Sequence, residues 1–324
     1  MEQEKILITG ANGQLGSVLT LKLQERYGID NVIATDLRPK DGYQGLFKVL
    51  DVTFYEVLEN IVAEYKITQI YHLAAILSAN GEKNPLNTWD INMKSLFNVL
   101  EVSRLYDVKK VFYPSSIAVF GSNLEKENIP QSANLTPSTV YGISKAAGEN
   151  WANYYFHRYG LDVRSLRYPG VIGYQSLPGG GTTDYAVDIF HKAIRSEHFN
   201  CFLEEDTMLP MIYMEDAIRA TIELMDAPAE DITIRTSYNL SSMSFTPKEL
   251  AESIKKIYPD FQITYEPDFR QAIANSWPAS INDDEVRNDW NWKPKFNLDL
   301  MTKDMIANLK IGLVDEMKTE SFVV

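Results

Sequence analysis

Ile6-Leu-Ile-Thr-Gly-Ala-Asn-Gly-Gln-Leu-Gly16 is the stretch on which the fold turns. Three consecutive apolar residues read as a fully buried strand, and the spacing predicts a helix over 15–26. Between them lies Gly10-x-x-Gly13-x-x-Gly16. Glycines in such a turn remove the side chains that would block a pyrophosphate, and the helix N-terminus behind them offers free N–H groups and a partial positive charge. A second strand, Asn31-Val-Ile-Ala34, ends at Asp36. That is roughly twenty residues past the glycines, where a carboxylate can bond both ribose hydroxyls of NAD and repel the 2′-phosphate of NADP. Arg38 is placed to favour that phosphate. The carboxylate carries more weight, so the expected cofactor is NAD.

The alternation continues. Strands are expected at 46–50, 69–73, 111–113 and 163–166, with helices at 55–65, 86–106 and 141–159. Strands alternating with helix-period segments predict an α/β fold, a doubly wound parallel Rossmann sheet. In it, Asp51-Val52 ends the third strand at the adenine, and Leu73-Ala-Ala75 ends the fourth with side chains small enough for close approach. Asn92 on the next helix is expected to bridge cofactor and structure. After Tyr168-Pro-Gly170 the rhythm changes to a glycine loop, helices at 186–195, 214–225 and 247–257, and strands at 232–237 and 262–265. The expected division is a NAD-binding domain over 1–170, with later sheet strands from about 205–240, and a smaller, mostly C-terminal substrate lobe over 171–324 interleaved with them.

Acidic residues number 44 and basic residues 31 in the 324-residue chain, a net charge of −13 that disfavours nucleic acid and anionic membrane surfaces. Cys201 is the only cysteine, which excludes an intramolecular disulfide and points to a reducing compartment. Within Phe199-Asn-Cys-Phe-Leu203 it reads as a buried strand residue, not a nucleophile. No pair among His72, His157, His191 and His198 has zinc-ligand spacing with a carboxylate partner, so no metal is expected. Met1-Glu-Gln-Glu-Lys5 runs straight into the first strand, and no apolar run is long enough to span a bilayer, so the expected location is the cytoplasm. The helices at 86–106 and 141–159 are apolar beyond one buried face, carrying Trp89, Phe97, Trp151, Tyr154 and Tyr159 among others. An amphipathic surface helix keeps one face polar, so these two predict a homodimer, with deep burial beneath the second lobe as the other reading.

Chemistry is concentrated in Tyr141-Gly-Ile-Ser-Lys145. Residues four apart share a helix face. An ammonium beside a phenol lowers the phenol pKa from its usual ~10, and the phenolate can then take the proton of a substrate hydroxyl while a hydride leaves for the nicotinamide. Read with Pro114-Ser-Ser-Ile-Ala-Val-Phe-Gly121 and Arg167-Tyr-Pro-Gly170, the chain resembles the extended short-chain dehydrogenase/reductases. The resemblance implies Tyr141 as acid/base, Lys145 on the phenol and the nicotinamide ribose, and Ser116 on the reacting oxygen. It adds Asn12, Gln14, Leu15, Ala74 and Val171 to the cofactor contacts. Ile117-Ala118 stand where a dehydratase of this branch carries an Asp-Glu pair, which argues against dehydration.

Four further segments resemble the branch that oxidises the β-hydroxyl of L-threonine to 2-amino-3-ketobutyrate with NAD. They are Pro178-Gly-Gly-Gly-Thr-Thr-Asp-Tyr-Ala-Val187, Leu209-Pro-Met-Ile-Tyr-Met-Glu-Asp-Ala-Ile-Arg-Ala220, Ser276-Trp-Pro-Ala-Ser280 and Asp289-Trp-Asn-Trp-Lys-Pro294. On that resemblance Gly181, Thr182, Thr183 and Ser78 meet the substrate and Trp277 lids the site. No carboxylate is assigned to the substrate ammonium. Two other readings stay open: an NDP-sugar 4-epimerase, which needs arginines (Arg235, Arg270 and Arg287 are the candidates), and a non-catalytic NAD-sensing protein.

Overall fold

A computed structural model describes residues 4–177, 179 and 181–321. In chain order the first half runs β1 (Ile6–Thr9), α1 (Gln14–Tyr27), β2 (Val32–Asp36), β3 (Leu46–Val49), α2 (Tyr55–Tyr65), β4 (Gln69–His72), α3 (Ser78–Gly81), α4 (Pro85–Leu105), β5 (Lys110–Phe112), β6 (Ser115–Ser116), α5 (Val140–Tyr159) and β7 (Asp162–Arg164). The second half runs β8 (Leu166–Tyr168), β9 (Gly170–Ile172), α6 (Tyr185–Ile194), β10 (Phe199–Cys201), β11 (Leu209–Tyr213), α7 (Met214–Asp226), β12 (Tyr238–Asn239), β13 (Met243–Phe245), α8 (Pro247–Lys255), β14 (Ile263–Tyr265), α9 (Phe269–Ala274), α10 (Asp284–Trp290) and α11 (Leu298–Ser321).

Six strands form one parallel sheet in the order β3-β2-β1-β4-β5-β7. Strand order reverses between β1 and β4, and ligands of open α/β sheets bind outside the strand ends at such a switch point. Both faces of this sheet are covered. Ile6 and Ile8 point to the side of α1 and α7, and Leu7 points to the side of α2, α4 and α5. That two-sided burial is why β1 is apolar throughout instead of alternating. A third cluster, built on Tyr185, Phe190, Leu209, Leu250 and Met305, forms the core of the second half. Three smaller sheets, β13-β11-β9, β12-β8-β6 and β10-β14, connect the halves or complete the second. No helix among the described residues is long and apolar enough to cross a membrane.

One expected strand is corrected. Residues 232–237 are irregular, and the strand that pairs with β8 is the two-residue β12. The N–H groups of Thr233 and Ile234 donate to the Tyr238 phenol oxygen at 2.8 and 3.0 Å, so they are not available to a ladder. Arg235 turns back to pair with Asp162 at 2.7 Å. Helix α11 and the short helices α3, α9 and α10 were not anticipated from the sequence.

Candidate active site

The glycine turn closes tightly on its surroundings. Gly10 has φ +72°, and a Cβ there would lie 2.7 Å from the Ala74 nitrogen, so β1 and the end of β4 approach as only glycine permits. On Gly13 a Cβ would meet only the Gly10 carbonyl oxygen, at 3.3 Å, and its open side faces the cavity. Helix α1 has no side-chain cap and no acidic residue in its first turn, and that turn lines the cavity. An open glycine wall in front of an uncapped helix N-terminus fits a pyrophosphate.

Asp36 closes the second strand beside this turn. Its two oxygens accept from the N–H of Asn12 (2.9 Å) and of Leu37 (2.7 Å), and Asn12 Nδ2 donates to the Arg38 carbonyl at 2.7 Å. Asn12, Asp36 and Arg38 are thus gathered at one edge of the turn, outside the cavity lining. Three other cofactor candidates have different partners. Asp51 Oδ1 accepts from the N–H and the hydroxyl of Thr53, and the Val52 carbonyl accepts from Asn98. Asn92 bonds both the N–H and the carbonyl of Ile76, at 2.8 and 3.0 Å, and reaches Ser144 at 3.3 Å. Its amide is spent on protein, so its bridge runs from α4 to the loop lined by Leu73, Ala75 and Leu77 and on to α5, with Ala74 in that same loop.

Helix α5 starts where the Thr139 hydroxyl accepts from the Gly142 N–H at 3.1 Å, which sets Tyr141 in the first turn. A Cβ on Gly142 would come within 2.1 Å of the Ala118 carbonyl, so the helix lies directly on the segment that follows β6. This contact brings Tyr141 to Ser116, whose hydroxyl bonds the phenol and also accepts from the Ala118 N–H at 3.2 Å. Lys145, 4% exposed, donates to the Pro114 carbonyl at 2.7 Å. Its Nζ stands 4.5 Å from the centre of the Tyr113 ring and 5.6 Å from that of Tyr141.

Protonation differs from the expectation drawn from Tyr-x-x-x-Lys. Burial pushes the Tyr141 phenol up to about 12, and the influence drawing it down is the Ser116 hydrogen bond. The same burial brings Lys145 down to about 7, opposed by the negative charge of Glu149. In both groups desolvation outweighs the attraction between their charged forms.

One cavity is lined by Gly10, Gly13, Gln14, Leu15 and Gly16, by Leu73, Ala75 and Ser78, by Ser116, Tyr141 and Lys145, and by Val171, Gly181, Thr182, Thr183 and Trp277. Elements far apart in sequence therefore meet at the switch point of the sheet. Gln14 Nε2 donates to the Val171 carbonyl at 3.1 Å, joining α1 to β9. Thr182 is 1% exposed and its hydroxyl has no protein partner. Pro178 and Gly180 of the glycine loop lie outside the described residues. Trp277 is 7% exposed, and the Lys126 ammonium holds its carbonyl at 2.8 Å.

Asp184 is the residue sequence reasoning passed over. It is the one carboxylate among the described lining residues. An Asp ahead of an apolar helix reads as an N-cap. Here its side chain makes no cap bond and turns back to accept from the Gly181 N–H at 2.8 Å. The three candidate arginines are engaged elsewhere: Arg235 with Asp162, Arg270 with Asp268 and Arg287 with Asp283.

Comparison with known proteins agrees with this architecture. The holo form of a GalE-like L-threonine dehydrogenase from Cupriavidus necator superposes with a TM-score of 0.93 at 54% identity, covering 94% of this chain and 99% of that one. A monomeric L-threonine 3-dehydrogenase from a metagenome, in its apo form, gives 0.91 at 51% identity over 94% and 98%. An uncharacterized epimerase/dehydratase of Staphylococcus aureus is 46% identical over 312 residues, 95% of this chain and 97% of that protein. The family profile matches residues 6–240, the span that holds the glycine turn, Ser116, Tyr141 and Lys145. This chain belongs to the NAD dependent epimerase/dehydratase family, and NAD is the cofactor its glycine turn and Asp36 suit.

Proposed function

We propose that this protein is an NAD-dependent L-threonine 3-dehydrogenase, converting L-threonine to 2-amino-3-ketobutyrate as a step of threonine catabolism. The observation that carries the reading is the make-up of the cavity around Tyr141: one carboxylate, threonine hydroxyls and no arginine among its described residues. A nucleotide-sugar diphosphate needs cations, and Lys145 is the only one here. A small amino acid needs an anion for its ammonium and neutral donors for its carboxylate.

Bound NAD supplies the acceptor for the hydride that leaves the hydroxyl-bearing carbon. Ser116 holds the reacting oxygen, and Tyr141 takes the proton as the C–O bond becomes C=O. A phenol at about 12 gives it up reluctantly to solvent and accepts it readily, so a positive charge is needed to prepare the phenolate. Lys145, on the same helix face, is that charge. Asp184 pairs the substrate ammonium, Thr182 and Thr183 bond its carboxylate, and Trp277 keeps water from the reacting carbon.

The test is NADH formation by the purified protein with NAD and L-threonine, against D-threonine, L-serine and UDP-glucose. Strong, stereospecific reduction with L-threonine is expected. Sugar interconversion without amino-acid oxidation sinks the reading in favour of the epimerase, and NAD binding with no turnover of either favours the sensor.

We also propose a homodimer through α4 and α5, whose outer faces leave Trp89, Ile143, Trp151, Tyr154 and Tyr159 exposed by 36–46%. The 51% identical relative is described as monomeric. Light scattering on this chain decides, and a mass near 36.9 kDa removes the dimer.

A further inference from the structure

We propose that Glu149 is a positioning residue for the chemistry at Tyr141: it supplies the buried negative charge that faces Lys145, and it pins the strand that presents Ser116. The inference rests on the roles just given to Tyr141, Lys145 and Ser116.

Glu149 is 0% exposed and follows Tyr141 and Lys145 by two turns and one turn on the same face of α5. Its Oε1 accepts from the Ser115 hydroxyl at 2.6 Å and from Arg167 Nε at 3.0 Å, and its Oε2 from Arg167 Nη2 at 2.8 Å. One carboxylate thereby ties α5 to β6 and β8. Arg167 continues to Asn239 Oδ1 at 3.0 Å and the Gln131 carbonyl at 3.2 Å, so the pair is anchored from the second half of the chain as well.

A pair this deeply buried is poor evidence of a stabilising device, because desolvating two charges offsets most of their attraction. Its location is better evidence of use. Neighbouring strand residues point to opposite faces, so fixing the Ser115 hydroxyl against α5 fixes the direction of Ser116. Around Lys145 stand Tyr141 and Glu149 from α5, Tyr113 and the Pro114 carbonyl from the segment after β5, and His72 from β4. Burial holds His72 neutral at about 3 and keeps the Tyr113 phenol protonated. The remaining group acting on Lys145 is Glu149, itself bound to Arg167, and its charge opposes burial and favours the ammonium.

The sign of the effect follows. Without the Glu149 charge, Lys145 loses its proton at lower pH, so the alkaline limb of the kcat/KM profile moves toward acid. Four variants of the full chain, Tyr141→Phe, Glu149→Gln, Glu149→Asp and Ser115→Ala, are assayed with NAD and L-threonine across pH, with far-UV circular dichroism and Tm for each. Glu149→Gln is expected to move the alkaline limb acidward by about one pH unit. Glu149→Asp, which keeps the charge, is expected to leave the limb in place at lower amplitude. A limb unmoved in Glu149→Gln, with kcat reduced equally at every pH, overturns the proposal. Should Glu149→Gln fail to fold, Ser115→Ala decides. A kcat down about fivefold or more at unchanged Tm supports the pinning of Ser116, and a kcat equal to wild type overturns it. An active Tyr141→Phe removes the underlying reading instead, so the two failures are distinguishable.

Discussion

A Cβ on Gly16 would come within 2.1 Å of the Gly10 carbonyl oxygen, so the first turn of α1 rests directly on the end of β1. Gly16→Ala must push backbone from backbone, and overpacking of this kind costs about 1–3 kcal/mol. Gly13→Ala meets that oxygen at 3.3 Å with its other side open, and φ at Gly13 is an ordinary −70°. We expect Gly16→Ala to lower stability in urea titration and to lose NAD. Gly13→Ala should keep its stability and lose NAD affinity, because its methyl occupies the cradle. Equal stabilities for the two variants would show that the strand–helix contact is not what requires Gly16.

The carboxylate of Asp36 spends one acceptor position on each of Asn12 and Leu37 and keeps the rest for a ligand. Asp36→Ala is expected to weaken NAD more than NADP, because it removes both the ribose acceptor and the repulsion of a 2′-phosphate. Fluorescence titration with the two cofactors measures this. Equal losses would remove Asp36 from the ribose.

Tyr141→Phe deletes one oxygen from a ring otherwise packed as before. We expect kcat to fall by about 10²–10⁴, the usual value of a positioned acid/base, while NAD binding survives. Activity near wild type would take Tyr141 out of the reaction.

Much of this was legible in sequence for a physical reason: the decisive signals are local. The turn from Ile6 to Gly16 contains its own strand, glycines and helix start, and Tyr141 and Lys145 share a face by helix geometry alone. What escaped depends on contacts across the chain. Glu149 and Arg167 meet only after α5 has packed on β8, and Gly142 matters only because Ala118 lies against it. Asp184 carries the sequence signature of a cap and turns out to serve the loop behind it. Asn92 was expected to bridge cofactor and structure, and its structural partners, Ile76 and Ser144, come from other elements. The Tyr141 phenol was expected to be lowered by Lys145, yet desolvation, which no local pattern encodes, dominates both groups.

Burial raises the phenols of Tyr141, to about 12, and of Tyr113 and Tyr185 well above their ordinary value near 10. A raised native pKa means that the folded state keeps a proton the unfolded chain has released. Stability from these groups is therefore full below ~10 and is lost as pH climbs through the native values. Lys145, lowered to about 7, acts in the opposite sense between there and its unfolded value near 10.5, so the phenols govern only the alkaline side. Tm should fall progressively above pH 10. Tyr185 adds a second test, since its hydroxyl is fully buried without a partner. Tyr185→Phe removes an unsatisfied group and should stabilise by about 1 kcal/mol while flattening the alkaline loss. A destabilised variant would mean that the hydroxyl has a partner after all.

Asp184 and Gly181 line the same cavity as Tyr141. The carboxylate accepts from the Gly181 N–H at 2.8 Å and keeps acceptor capacity for a ligand in the cavity that Tyr141 also lines. Asp184→Asn keeps the shape and deletes the charge. If the carboxylate pairs the substrate ammonium, kcat/KM for L-threonine should fall by about one to two orders of magnitude, a loss of ~1.5–3 kcal/mol expected for a hydrogen bond to a charged group. NAD affinity and Tm should stay where they were, because neither depends on that charge. The loss should appear mainly in KM, since the ammonium is equally positive in substrate and transition state and its binding is uniform along the reaction. An unchanged KM would exclude Asp184 as the ammonium partner, and a loss of NAD affinity of the same size would assign the residue to the cofactor side of the cavity instead.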